Sequence, residues 1–379
     1  MTRTLPVILF FVLVMLGMAL LAMSFAEQLP PDFPIAIDWQ ALHRAIRDGH
    51  ISYEPGMGMY VPPWNALVAA PLGFLSMRAS WALVALFTMV VLLFSVPRTR
   101  PRWRYYAGIL LLEASFPALR HAVDGNFEGM VIAGILLALS GYRMGLSAEP
   151  QRRAEWYAPM LLALGVLLAS AKPQLTLPFL AVLGLTTLYM WRLRRWLRAL
   201  GFTLLVVLPC MLWIGQAYLT HLFSIPERGS IMDIGLTAAL NRMQLPSPLV
   251  AALWLLVLGI TLGLMWLTRP SRTLRLPFSR ERAGVLIAAG LLLSPYSAGN
   301  SMLTLLAVGI IPLFLRRPLL GLLLIVPIDL TVLVNNPAAL SLQAYYTTAV
   351  LLLCWGVLGW RVWKSEQHHE AKPAYVSTP

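Results

Sequence analysis

Two residues of this chain are of a type, and in a setting, that could do chemistry on a membrane-borne substrate: Asp38 and Lys172. Asp38 opens the stretch Asp38 to Asp48, in which Trp39, Leu42 and Ile46 fall on one helical face and Gln40, His43, Arg44 and Arg47 on the other, with Gly49 as the stop. A carboxylate at that point either caps the helix by accepting backbone N–H groups or takes a proton from a hydroxyl as a general base. Spacing leaves both open. Asp32, Asp48 and Glu54 are rival carboxylates nearby. Lys172 follows the apolar run Ala158 to Ala171, which as a helix rises only about 21 Å, so its ammonium falls in the headgroup layer or below it. There it either snorkels to water or holds a lipid phosphate. It is one of three lysines in the chain, and the other two lie near the C-terminus.

The elements that must position these groups are membrane spans. Hydrophobic residues make up 59% and charged residues 12% of the 379-residue chain, and apolar runs, many of about 15 to 21 residues and so roughly what ~30 Å of hydrocarbon demands of a helix, recur throughout. They are Leu5 to Phe25, Ala79 to Val96, Tyr105 to Leu119, Phe127 to Leu146, Ala158 to Ala171, Leu175 to Trp191, Leu200 to Tyr218, Pro248 to Leu267, Ala283 to Leu293, Ser301 to Leu315, Leu319 to Val334 and Tyr345 to Trp363. The expectation is an all-α polytopic protein of about twelve transmembrane helices. The first run is too long for a cleaved signal and reads as a retained anchor. The shorter stretch Trp64 to Met77, interrupted by Pro71, is expected to lie in the interface or re-enter rather than cross. The amphipathic stretch that Asp38 opens is expected to rest on the membrane with its apolar side down.

Arginine sets the orientation. Clusters at Arg98 to Arg104, Arg143 to Arg153, Arg192 to Arg198, Arg269 to Arg282, Arg316 and Arg317, and Arg361 to Lys372, with Arg3, all fall on one side of that threading, which the positive-inside rule makes the cytoplasm. The net charge of +13 is thus an orientation signal and not a nucleic-acid surface. The reading is a single integral-membrane domain over residues 1–364 with long outer loops at 26–63 and 219–247, and a disordered cytoplasmic tail at 365–379. The other outer turns are short, yet three are polar: His121 to Asn126, Lys172-Pro173-Gln174, and Ser294 to Asn300. A site is expected on that face. Glu113 and Asp329 lie within spans, where a carboxylate needs a partner or a cavity and can mark an ion path; Asp124 and Glu128 read as carboxylates at a helix start. Cys210 and Cys354 form neither a metal spacing nor a disulfide pattern. The markers of nucleotide-sugar, ATP and zinc-protease chemistry are missing, no divalent-ion cluster is visible, and no cofactor is expected.

In order, Asp38-Trp39-Gln40-Ala41-Leu42 with Gly49 and Tyr53, Tyr60-Val61-Pro62-Pro63-Trp64-Asn65-Ala66-Leu67 with Pro71-Leu72, Gly125-Asn126, Ala171-Lys172-Pro173-Gln174 and Leu293-Ser294-Pro295-Tyr296-Ser297 resemble a polytopic glycosyltransferase of the GT-C superfamily, closest to glycosyltransferase family 87. That family includes polyprenyl-phosphate-mannose-dependent mannosyltransferases. The resemblance implies that Asp38 is the general base. It also implies transfer of a sugar, mannose or a similar hexose or pentose, from a polyprenyl-phosphate donor to a glycan or glycolipid hydroxyl on the outer face of the inner membrane, with inversion. Lys172, with Arg44 or Arg228, would hold the donor phosphate, and Tyr53, Asp124, Asn126 and Gln174 the sugar. Relatives commonly continue the Ser-Pro-x-Ser motif with Trp and His, where this chain has Ala298, Gly299 and Asn300; Asn300 or His121 would then take the place of the missing imidazole. Two other classes fit parts of the sequence: a secondary transporter or lipid flippase, through Glu113 and Asp329, and a non-catalytic assembly subunit, through the missing histidine.

Overall fold

The computed structural model describes residues 4–30, 35–48, 61–146, 152–228, 234–269, 278–294, 301–334 and 340–370. Among them the chain is helical throughout, with no strand. In order come α1 (Thr4–Gln28), α2 (Ile37–Arg47), α3 (Pro63–Ala69) running into a tight turn of helix at Ala70–Phe74, α4 (Met77–Ser95), α5 (Arg102–Glu113), α6 (Phe116–Asp124), α7 (Glu128–Leu146), α8 (Arg152–Ala169) and α9 (Pro173–Met190). Then follow α10 (Leu193–Arg228), α11 (Leu236–Arg242), α12 (Ser247–Leu267), α13 (Arg280–Leu293), α14 (Met302–Leu305), a wide turn at Leu306–Ile310, α15 (Ile311–Arg316), α16 (Pro318–Asp329), α17 (Thr331–Val334) and α18 (Leu340–Glu370).

By length and composition, six helices among the described residues can cross a membrane: α4, α7, α9, α10 over Leu193–Thr220, α12, and α18 over Ser341–Ser365. Three apolar helical stretches are shorter, Glu155–Ala169, Met302–Arg316 and Pro318–Val334, and a fourth, Leu13–Gln28, is part of the 25-residue α1. The two remaining apolar runs are the 14-residue α13 and α5 with α6. The chain from Tyr105 to Leu119 is not one helix: Ser115 accepts the Ala118 amide at 3.3 Å and starts α6, Pro117 follows, and Asp329 Oδ1 accepts the Phe116 amide at 3.0 Å. Asp329 therefore serves a helix break, where the sequence left an ion path open. Glu113, last in α5, has no hydrogen-bond or ionic partner among the described residues. Two further bounds differ from expectation. Helix α10 continues past Tyr218 to Arg228, inside the loop placed at 219–247, and α18 continues past residue 364 to Glu370.

Helix α13 is the hub. Every residue from Glu281 to Leu293 is buried, as an all-round apolar helix must be when other helices enclose it. It packs against α9, α12, α18 and the stretch 306–310. Helices α7 and α8 form the tightest pair, because glycines remove the side chains between them: a Cβ on Gly134 would stand 2.7 Å from Gly165 O, and one on Gly165 2.6 Å from Gly134 O. The hairpin carries the N-terminal end of α7 and the Lys172 turn after α8 to the same end of the bundle.

Candidate active site

Helix α2 docks onto protein, not lipid. Its Trp39 and Leu42 are buried, Trp39 Nε1 donates to Ser80 Oγ of α4 at 2.7 Å, and its ring lies 5.8 Å from that of Phe127. An apolar helical face is indifferent to whether lipid or protein covers it, which is why periodicity alone pointed to the membrane. His43, placed on the polar face by the sequence, is also buried and bonds Leu75 O at 3.0 Å. Arg44 and Arg47 are exposed; Gly49 lies outside the described residues.

The helix begins one residue before Asp38. Its N-cap is Ala36, in the left-handed region at φ 61°, and no side chain caps it. The carboxyl of Asp38 instead accepts a hydrogen bond from Asn126 Nδ2 at 2.6 Å, while Asn126 Oδ1 accepts the Phe127 amide at 2.6 Å. Of the two roles the sequence left open for Asp38, this geometry removes the cap. The connection that brings Asn126 there is a turn made possible by Gly125, which has φ 67°. A Cβ at Gly125 would stand 2.8 Å from Trp39 Cβ and 2.9 Å from Trp81 Cδ1. Ala36 N donates to Val123 O at 2.8 Å, and Trp81 Nε1 to Ala122 O at 2.8 Å, so the turn is gripped from α2 and α4 alike. Gly125→Ala is therefore expected to lower stability by about 2 kcal/mol or more through backbone strain and overpacking, and to lower activity by displacing Asn126. Thermal unfolding of the purified variant checks this; an unchanged midpoint would mean the turn relaxes freely.

Lys172 does not snorkel. Its side chain is mostly buried, and Nζ donates to Glu128 Oε1 at 2.7 Å and to Ser301 Oγ at 3.1 Å. Glu128 is fully buried and its second oxygen accepts the Thr304 hydroxyl. One ion pair thus ties the start of α7, the turn before α9 and the start of α14. Sequence reasoning placed Glu128 at a helix start and missed the pairing; the available signal was that an acid and the chain's one isolated lysine both sit at span ends on the same face. Nearby, Arg120 Nε holds Asp124 Oδ2 at 2.7 Å, and Asp124 Oδ1 is buried with no hydrogen-bond partner among the described residues. His121 is wholly buried, its Nε2 3.0 Å from Thr88 Oγ1. Burial pushes its pKa down to about 4, against the pull of the Glu128 charge, so the ring is neutral and has no surface to offer a substrate. Also on this side, Trp64 Nε1 donates to Ser170 Oγ at 2.8 Å, and the amide of Asn65 is buried with both atoms unpartnered among the described residues.

Charge joins these groups into one site. Burial raises the Asp38 pKa above the aspartate value of 3.8; the Lys172 charge, the Asn126 hydrogen bond and the Arg120 charge pull it back, and the Glu128 charge adds to the rise. Asp124 is raised by burial and lowered chiefly by Arg120. Asp38 as a residue is nevertheless exposed. Of the residues the sequence singled out, Asp38, Asn126, Asp124 and Lys172 come together. Gln174 is half-buried two positions from Lys172, and Arg44 has no bond to the cluster among the described residues. Tyr53 and Asn300 lie outside the described residues, as does the side chain of Arg228, the last residue of α10. Among the described residues no group of His, Cys, Asp and Glu is arranged to hold a metal ion.

A helical membrane protein with a carboxylate and a lysine gathered at one end of its bundle is the class that fold and site define. The chain belongs to glycosyltransferase family 87, whose family model matches residues 60–295, and it is a membrane glycosyltransferase by that membership. The matched range includes Asn126, Glu128 and Lys172; Asp38 precedes it. No curated protein and no solved structure gives a match.

Proposed function

We propose that this protein is a GT-C-type enzyme that moves a sugar, mannose or a similar hexose or pentose, from a polyprenyl-phosphate donor to a glycan or glycolipid hydroxyl on the extracytoplasmic face of the inner membrane, with inversion. The observation that carries the reading is the Asp38 carboxyl held by Asn126 at 2.6 Å within the field of Lys172, which supports a base and a phosphate-binding cation working side by side. Asp38 takes the proton of the acceptor hydroxyl, and the oxygen attacks the anomeric carbon. The bond from that carbon to the phosphate oxygen breaks, and polyprenyl phosphate leaves with its negative charge facing Lys172. Glu128 acts as a positioning residue for that lysine. Asp124, Gln174 and Asn126 supply polar groups for the sugar hydroxyls, and Tyr53, Arg44, Arg228 and Asn300 belong to the same proposal. The about-twelve-span topology, with twelve apolar runs alternating between arginine-rich and arginine-poor ends, belongs to it as well.

The base makes a pH prediction. A carboxylate works only when ionised, so kcat/KM for the acceptor should fall as pH drops through the raised pKa of Asp38, above the ordinary 3.8. The Asn126 amide stabilises the ionised form, so Asn126→Ala should move that acid limb to higher pH. Transfer by purified protein in lipid nanodiscs, with saturating polyprenyl-phosphate mannose, measures both. An acid limb that stays put in Asn126→Ala would detach the limb from Asp38.

A further inference from the structure

At the opposite end of α4, about 27 Å from the site along a 19-residue helix, the chain builds a second polar feature that the transfer reaction does not use. The turn between α4 and α5 forms an open pocket of about 480 Å³ lined by Arg98, Thr99, Arg100, Arg102, Tyr105 and Tyr106. More guanidinium groups crowd behind it. Arg280, at the start of α13, donates to Ser95 O, and Arg104 Nη1 lies 3.4 Å from Leu315 O, beside Arg316. Helix α5 lies close against both neighbours here, since a Cβ on Gly108 would stand 3.1 Å from Leu315 and 3.5 Å from Val96. One carboxylate answers these charges among the described residues: Glu281, 3.1 Å from Arg316 Nη1. Arg98, Arg100 and Arg102 have no acidic partner among the described residues.

We propose that this pocket is a binding site for the phosphate headgroup of an anionic phospholipid of the cytoplasmic leaflet. The charge is right, because several guanidiniums without a carboxylate converge on one pocket, and arginine takes phosphate oxygens in a two-pronged fashion. The depth is right as well. Tyr106 and Trp103 are exposed at 62% and 56%, as aromatic rings at the headgroup level are. Away from the arginines the surface turns apolar at once: Phe94, on the last turn of α4, and Leu110, one turn beyond Tyr106 on α5, are 73% and 68% exposed. A soluble anion would use the arginines and leave this slope bare, whereas a phospholipid lays its acyl chains on it. The first turn of α5 starts at the rim without a side-chain cap, so its N–H groups point the helix dipole's positive end at the same phosphate. The lipid would splint the α4–α5 turn to the start of α13 and the end of α15.

The test is native mass spectrometry of the delipidated full-length protein in detergent, titrated with phosphatidylglycerol, with phosphatidylcholine, and with phosphatidylglycerol against inorganic pyrophosphate. One phosphatidylglycerol should bind ahead of the rest and ahead of phosphatidylcholine. Each arginine near an anionic headgroup contributes about five-fold, so Arg98→Gln/Arg100→Gln/Arg102→Gln should weaken that first binding by about 10²-fold. The control Arg192→Gln/Arg194→Gln, which removes exposed arginines from the turn before α10 and from its first turn, should leave it unchanged. Should the triple variant fail to fold, Arg100→Gln alone is expected to lose about five-fold. Equal losses in variant and control, or equal binding of phosphatidylcholine, overturn the site. Displacement by pyrophosphate at equal phosphate concentration overturns the lipid in favour of a soluble anion.

Discussion

Asp38→Asn should lower sugar transfer by about 10²- to 10⁴-fold, the usual worth of a general base, with little change in thermal stability. Asparagine keeps the size of aspartate and can still pair with Asn126 after a flip of one amide, so the anchoring of α2 through Trp39 and Ser80 at 2.7 Å survives. What disappears is the basic oxygen. A merely structural Asp38 predicts near-normal turnover instead, since asparagine can fill its place inside α2, one residue after the helix starts. The measurement is turnover by the purified variant in nanodiscs beside its unfolding midpoint. Near-normal turnover would remove Asp38 as the base and revive a non-catalytic reading of the chain.

The second large effect concerns the buried ion pair, and it separates stability from chemistry. Lys172→Met leaves the fully buried Glu128 without its cation, and breaking one side of such a pair costs about 3–5 kcal/mol; loss of activity in that variant alone is therefore ambiguous. Lys172→Met/Glu128→Gln resolves it. With both charges gone, and a side-chain amide oxygen in place of the Glu128 carboxylate still able to accept from Thr304, stability should recover most of the loss, because a buried pair and its neutral replacement are often close in energy. Donor use should not recover, because no ammonium remains to meet the phosphate: KM for the polyprenyl-phosphate sugar should rise and kcat fall. Lys172→Arg should keep part of the activity, charge being retained with altered reach. A double variant that is stable and transfers sugar normally would leave Lys172 a structural residue only.

Much of this was legible in the residues. The apolar runs locate the helices, since length and hydropathy are local properties, and the polar turns at Asn126 and Lys172 fall at the same end of the bundle as Asp38. The family relationship was legible too. What local pattern could not supply was the partner of each face and charge. The apolar stripe of α2 was real, but Trp39 and Leu42 meet protein. Glu128 and Lys172 are 44 residues apart, and no periodicity links them; only the close approach of α7 and α8 does. The break between α5 and α6 was hidden for a similar reason, because the group that satisfies Phe116 comes from Asp329, 213 residues away. Among the described residues six helices meet the length and hydropathy of a span where twelve runs were counted; of the other runs, Tyr105 to Leu119 breaks between α5 and α6, and Ala283 to Leu293 lies on the 14-residue α13.

The glycine seam between α7 and α8 has a mechanical consequence. With Gly134 and Gly165 allowing backbone to rest on backbone, the hairpin that bears Glu128 and leads into Lys172 has no side-chain cushion along which to slide. On the proposed mechanism, the phosphate side of the site is in effect a fixed jaw. The Asp38 side hangs instead on α2, fastened by a tryptophan hydrogen bond, one turn at Gly125 and a pair of backbone contacts. If Asp38 is the base and Lys172 meets the donor phosphate, any give needed to admit acceptors of different bulk falls on that second jaw, so tolerance for the acceptor would follow how firmly α2 is latched and choice of donor would follow the hairpin.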